Sequence, residues 1–537
     1  MTDLLPTKAV YQPDEVVVLE VRDLAGPAEL TLRHLGEPSG QVTVRADGMA
    51  SLGLLPAGGY GVELTASGSV LARTALQVAD NPRAVLRYGF VVDYRPGRDL
   101  AGFTDNLRRL HLTGVQFYDW AYRHADLLGG GDEYRDALGQ PVSLAEVRAL
   151  IHACHQVGSD ALGYAAVYAA GPHEWPAWEH DALLTPTGKP YGLGDFLFLV
   201  DPAAGDWLAH FTADLSAATA LGFDGFHLDQ YGYPKRAHRP DGTQVDVAAS
   251  FTTMLDRVRG AVATARLVFN NVNDFPTWAT ASAPQDAVYI EVWAPHTGLE
   301  HLAQVATRAR AMAAGKPVVI AAYQHVYDSA PAAASDLATA LTMATLFSHG
   351  ATHLLCGEAD RILVDPYYVR NHVAEPSTWD LLHRWYDFLV EHDELLTAPG
   401  ITDVTGSYAG AYNDDLDVSY ASRADVTVTH SAGADRVWRR ITQVEDRLIM
   451  HLINLVGQDD TAWDSPRQPP PDLGAGTLRI RRAGPGLPRV RVADPDRQPH
   501  LIDVDVDVTV DGDYASATLP APHLWQLVVI DPMSSPS

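Results

Sequence analysis

Two carboxyl residues stand out by what surrounds them. The stretch LGFDGFHLDQYGYPK, residues 221–235, opens with a Gly-bounded apolar run short enough for a buried strand, then delivers Asp229 into a polar, aromatic segment. In Tyr289-Ile290-Glu291-Val292-Trp293, the two-residue alternation of a strand puts Tyr289, Glu291 and Trp293 on one face. Breaking a glycosidic bond needs two such groups: a protonated one to serve the leaving oxygen, and an ionised one opposite the anomeric carbon. A carboxyl between two aromatic rings is partly desolvated, which raises its pKa and suits it to be the acid. Asp229, beside Gln230 and Tyr231, has hydrogen-bonding neighbours that would keep it ionised. The pattern predicts Asp229 as nucleophile and Glu291 as acid/base. Asp is also a common turn and cap residue, so the weight rests on what brings the two together.

From residue 84 the chain alternates short apolar runs with amphipathic stretches, the pattern of parallel α/β architecture. Eight runs can be counted, at 86–92, 115–118, 161–168, 225–228, 267–272, 287–292, 318–323 and 353–356. Helices are expected between most of them. Ser143-Leu144-Ala145-Glu146 reads as a capping box, and Asp201-Pro202 as an N-cap followed by a first-turn proline. Further helical stretches fall at 245–263, 299–314, 332–348 and 377–396. Eight strand–helix units of this length predict a (β/α)₈ TIM barrel, whose chemistry lies at the C-terminal ends of its strands. No Gly-rich phosphate loop follows any strand, which disfavours an open doubly wound sheet.

The expected strand ends converge on one rim. They supply Asp93, then Tyr118, Asp119 and Trp120 with His124 close behind, then Tyr168, Gln230, Asn271 and Asn273, and finally Trp293, Tyr323 and Glu358. Each has an ordinary structural explanation alone. Together they are the carboxylates, amides and aromatic faces that a sugar site needs, and all are expected to bind substrate.

Residues 1–82 read as short alternating strands (15–22, 28–34, 41–46, 61–66 and 70–78) punctuated by Gly and Pro, predicting a small immunoglobulin-like β-sandwich. The barrel is expected over 83–397. A second β-sandwich is expected over 398–537, with strands near 447–455, 477–481, 489–492, 503–510 and 524–530 and a frayed 532–537.

Composition narrows the function classes. In 537 residues, acidic side chains outnumber basic ones 67 to 39, for a net charge of −28. That argues against a nucleic-acid or anionic-membrane partner and leaves a neutral sugar unopposed. Cys154 and Cys356 each sit in an apolar segment without a partner at metal spacing. His173, Glu174, Glu179 and His180 lack zinc-helix spacing, so neither metal nor other cofactor is expected. No signal peptide precedes the first strands, predicting a cytoplasmic chain unless a leader has been removed.

Several of these segments resemble glycoside hydrolase family 66: Tyr118-Asp119-Trp120 with Tyr122-Arg123-His124, Gly222-Phe223-Asp224-Gly225 leading to Asp229-Gln230, Asn270 to Asn273, and Tyr289 to Trp293. Ser348 to His353 and Asp365-Pro366-Tyr367-Tyr368 extend the resemblance over nearly the whole chain. That family contains endo-dextranases and cycloisomaltooligosaccharide glucanotransferases. The resemblance implies a retaining mechanism on α-1,6-glucan or isomaltooligosaccharides, with Asp229 matching the family nucleophile and Glu291 its acid/base. The barrel lacks the long β-rich insertion that cyclising members use to bind carbohydrate, which favours hydrolysis over cyclisation. A non-catalytic carbohydrate-binding protein is the expectation of another class, and the presence of both carboxyls argues against it.

Overall fold

The continuous apolar runs of the middle region become strands buried on both faces, as parallel strands must be. The computed structural model describes residues 2–531 apart from 411–412, 422, 424, 483, 485 and 510–511; the expected frayed stretch 532–537 lies outside the described residues. Eight parallel strands follow one another round a nearly closed sheet: β1 (Tyr88–Val91), β2 (Gly114–Phe117), β3 (Asp160–Ala166), β4 (Gly225–Asp229), β5 (Arg266–Asn270), β6 (Ala287–Glu291), β7 (Val318–Ala321) and β8 (Ala351–His353). Between them run α1 (Leu100–Arg109), α2 (Leu144–Gln156), α3 (Gly205–Ala218), α4 (Val247–Ala261), the single turn α5 (Thr277–Thr280), α6 (Leu299–Met312) and α7 (Ala332–Ser348), and α8 (Pro376–Glu391) follows β8. This is the expected (β/α)₈ barrel.

The seam between β8 and β1 has no ladder among the described residues; side chains and a glycine close it instead. Thr352 Oγ1 donates to the Leu86 carbonyl at 2.9 Å, and Asn106 Nδ2 to the Gly357 carbonyl at 2.5 Å. Gly357 lies so close to β1 that a Cβ would meet Phe90 N at 2.2 Å. Glu358 completes the seam by accepting from Val92 N at 2.7 Å while pairing with Arg98 at 2.8 Å.

Two helix starts differ from expectation. Ser143 precedes α2 as expected but makes no side-chain cap bond. Asp201 does not cap α3, which begins at Gly205; it is buried and accepts from Arg239 Nε at 2.7 Å, a charge pair that outweighs a cap.

Antiparallel sheets flank the barrel. On the N-terminal side, a three-stranded sheet (Asp3–Pro6, Val17–Arg22, Gly48–Gly53) faces a four-stranded one (Ala28–His34, Glu37–Val44, Gly58–Ala66, Ser69–Val78) across a core including Leu19, Leu30, Tyr60 and Val62. Strand Gly58–Ala66 lies against the end of α8, where a Cβ on Gly59 would meet the Val390 carbonyl at 2.2 Å. On the C-terminal side, a seven-stranded sheet including Arg436–Val444, Arg447–Asn454 and Trp525–Asp531 packs on a four-stranded one including Gly476–Arg481 and Tyr514–Leu519. Among the described residues, no helix is long and apolar enough to cross a membrane.

Candidate active site

Three successive barrel strands end on polar residues: Asp229 on β4, Asn270 on β5 and Glu291 on β6. Each follows buried apolar residues, so the strand fixes the backbone while the last side chain meets the cavity at the C-terminal mouth. That cavity has a volume of about 260 Å³. Asn270 Nδ2 donates to Asp229 Oδ1 at 2.7 Å and to Glu291 Oε2 at 2.9 Å. The Tyr164 hydroxyl on β3 donates to the other Asp229 oxygen at 2.8 Å.

Burial raises both carboxyls. The Asp229 carboxyl is pushed up to about 6, with Asn270, Tyr164 and the Gln230 amide pulling the other way. Burial and then the Asp229 charge push Glu291 up to about 7, against hydrogen bonds from Asn270, Tyr323 and Trp293. Glu291 therefore keeps a proton to higher pH than its partner. Asp229 is the more acidic member through Asn270, Tyr164 and a backbone amide rather than through the side chains of Gln230 and Tyr231. A third carboxyl, Asp119, is buried at the same cavity. Burial, then the Asp136 and Asp229 charges, push it well above the usual carboxylate range.

Aromatic rings build the floor and walls. His227 on β4 sits 3.2 Å from the Tyr88 hydroxyl, edge-on to Tyr289, and burial holds its pKa down to about 3, leaving the ring uncharged. Tyr118 stacks on Tyr368 with centroids 4.2 Å apart, and Trp293 packs against Tyr323 at 5.6 Å. Phe196, Tyr233 and Tyr367 line the mouth and remain 36–39% exposed. Such a pocket presents stacking faces for sugar rings around two carboxyls of unequal acidity, equipped for acid and base chemistry on a neutral substrate.

The sequence model of glycosyl hydrolase family 66 matches residues 6–529. The chain belongs to that family. Two cycloisomaltooligosaccharide glucanotransferases from Niallia circulans are relatives. One is 26% identical over 301 residues, covering 51% of this chain and 31% of its own length; the other is 21% identical over 698 aligned positions, covering 97% and 71%. The chain thus spans about a third of the first relative's length. In structure it resembles a Paenibacillus cycloisomaltooligosaccharide glucanotransferase complexed with cycloisomaltoheptaose, with a TM-score of 0.86 at 18% identity, covering 98% of this chain and 100% of that one. The protein is an enzyme of the glycoside hydrolase type.

Of the residues singled out in the sequence, this family-66 cavity gathers Asp229, Glu291, Tyr118, Asp119, His124, Gln230, Trp293 and Tyr323. Gln230 reaches it with its amide already committed, donating to the Asn270 and Phe275 carbonyls and accepting from Gly232 N. The other six do not line the cavity. Asp93 is paired with Arg95. Trp120 is buried and donates to the Tyr164 carbonyl at 3.1 Å. The Tyr168 hydroxyl donates to the Tyr233 carbonyl and accepts from Tyr231 N, bracing the loop after β4. Asn271 is buried and bonds the Phe269 and Tyr289 carbonyls, while Asn273 bonds Ala294 O and Trp293 N. Glu358 holds the barrel seam.

Among the cavity's other residues, Tyr164, His227, Asn270 and Tyr368 were not expected to bind substrate, although Asn270 was expected at the end of its strand. Alternation back from the strand end could have found the first three. Asn270 ends its strand as Asp229 and Glu291 end theirs, His227 lies two before Asp229, and Tyr164 lies beside His227 in the ladder.

Proposed function

We propose that this enzyme cleaves α-1,6-glucosidic linkages of dextran or isomaltooligosaccharides from within the chain, with retention of configuration, through a covalent glycosyl-enzyme on Asp229. One observation carries the mechanism. Hydrogen bonds of 2.7 and 2.9 Å from a single nitrogen cannot hold their acceptors farther apart than about 5.6 Å, and a planar amide's diverging N–H bonds place them near 5 Å. Double displacement uses a carboxyl separation of about 5–5.5 Å, whereas inversion needs about 6.5–9.5 Å to admit a water. The raised Glu291 supplies the proton to the departing oxygen, and the more acidic Asp229 attacks the anomeric carbon. The substrate class rests on family membership.

The relatives' activity favours a second reading, intramolecular transfer yielding cyclic isomaltooligosaccharides. It shares every step up to the glycosyl-enzyme and differs in whether water or the chain's own sugar hydroxyl attacks next. Incubation with dextran followed by product separation distinguishes the two: linear fragments support hydrolysis and cyclic ones transfer. Trapping with a 5-fluoroglucosyl fluoride and peptide mapping should place the label on Asp229. A label elsewhere overturns the assignment.

A further inference from the structure

Asn270 stands between Asp229 and Glu291 at the end of the intervening strand, and its one nitrogen serves both. Its Oδ1 is buried and accepts no hydrogen bond among the described residues. Turning the amide over would set that oxygen against two carboxyls, so the orientation is fixed by what the nitrogen does. From below, the Gln230 amide holds the Asn270 carbonyl at 3.1 Å, and the same amide is anchored to Phe275 O at 2.9 Å. The donor is thus braced before any substrate arrives, with strand β5 on one side and the loop after β4 on the other.

We infer, on the double-displacement reading above, that Asn270 is the positioning residue that sets the spacing of the two carboxyls and stabilises their shared negative charge as it passes from Asp229 to Glu291. In the first half-reaction an Asp229 oxygen bonds to the anomeric carbon. The glycosidic C–O bond breaks with its electron pair going to the leaving oxygen, which takes the Glu291 proton. The pair begins as Asp229 carboxylate with Glu291 acid and ends as a glycosyl ester with Glu291 carboxylate. In the second half-reaction water or a sugar hydroxyl gives a proton to Glu291, its oxygen bonds to the anomeric carbon, and the ester electrons return to Asp229. One negative charge is present throughout, and it crosses from one side of Asn270 to the other.

A donor reaching Asp229 alone would hold the charge where the reaction starts and oppose its departure; only interactions stronger in the transition state than in the ground state raise the rate. A nitrogen donating to both carboxyls carries no such bias. It need not reorient as the charge moves, which is what makes a fixed donor effective in a dry site.

The test is the pH dependence of kcat and KM on dextran for Asn270→Ala and Asn270→Leu beside the parent, with melting temperatures taken alongside. The expected result is a fall in kcat of about 10²–10³-fold with KM changed by less than about threefold. Both limbs of the kcat/KM profile should move to higher pH, because each carboxylate loses a donor to its ionised form. Should Asn270→Ala not fold, Asn270→Leu decides, since it keeps the size of the side chain and has no donor. A loss of rate with both limbs in place, or movement of one limb alone, overturns the inference. If the parent itself does not label on Asp229 with the fluorosugar, the double-displacement reading has failed instead.

Discussion

The Tyr164 hydroxyl donates to Asp229 Oδ2 at 2.8 Å, from the strand beside the one that ends on Asp229. It is one of the groups opposing the rise that burial imposes on this carboxyl. Tyr164→Phe keeps the ring that packs near Tyr118 and removes only the donor. A hydrogen bond to a charged group is worth about 1.5–3 kcal/mol, or about 1–2 pH units in the Asp229 pKa, so kcat/KM should fall about tenfold or more on the acid side of the optimum. The acid limb should move up while the alkaline limb, set by Glu291, stays in place. A variant with the parent's acid limb would show that Tyr164 does not act on Asp229.

With Asp229 at about 6 and Glu291 at about 7, kcat/KM should be bell-shaped with its maximum between them. Below the first value the nucleophile is protonated; above the second the acid has lost its proton. Asp229→Ala should abolish turnover without loss of fold, judged by circular dichroism. Glu291→Gln should cost about 10²–10⁴-fold on dextran and far less on an aryl glycoside, whose leaving group needs little protonation. Equal losses on the two substrates would remove Glu291 from the acid role.

Far from the cavity, His500 joins three parts of the chain. Its Nδ1 lies 2.8 Å from both Glu391 oxygens at the end of α8, and its Nε2 lies 3.3 Å from Glu63 in the N-terminal sheet. Although burial lowers it, Glu391 and Glu63 together raise the His500 pKa from 6.5 to about 9, and Glu63 falls to about 2. A rise of that size corresponds to about 3 kcal/mol. Because the folded value is the higher, this stability is fully present below pH 6.5 and is lost as pH rises through 9. His500→Gln should therefore melt well below the parent at pH 6 and nearly with it above pH 9. A constant difference across that range would mean that packing, not charge, holds the junction.

The barrel and its two carboxyls were legible because each leaves a mark within a few residues: an apolar run, then a polar side chain where the strand stops. The supporting groups were harder to place. The apolar run of β3 continues past Ala166, so its expected end falls at Tyr168, which braces a loop, while the inward Tyr164 lies inside the run with nothing local to mark it. At the end of β5 three asparagines lie within four positions. Register against β6 settles that Asn270, the last strand residue, faces inward while Asn271 turns to the backbone. Asp201 reads as a helix cap because its partner, Arg239, is far away in sequence and close only in the folded chain.

At the cavity mouth, Tyr233 and Tyr367 come from the loops after β4 and β8, on opposite sides of the barrel, and both line the cavity while 36% and 39% exposed. Burial raises the Tyr233 phenol, and the Tyr367 phenol raises it further. Tyr233 is fixed by its bond to the Gly192 carbonyl at 3.0 Å, and Tyr367 is backed by the Arg370 guanidinium at 4.5 Å. Rings left open in such a position gain burial only when a sugar covers them, and a stacked aromatic contact is worth about 0.5–1.5 kcal/mol. Tyr367→Ala should therefore raise KM for dextran about 2- to 10-fold with kcat little changed. The bell-shaped pH profile should keep its position, because neither ring touches Asp229 or Glu291. A fall in kcat at unchanged KM would place Tyr367 with the reacting groups and not with the chain that feeds them.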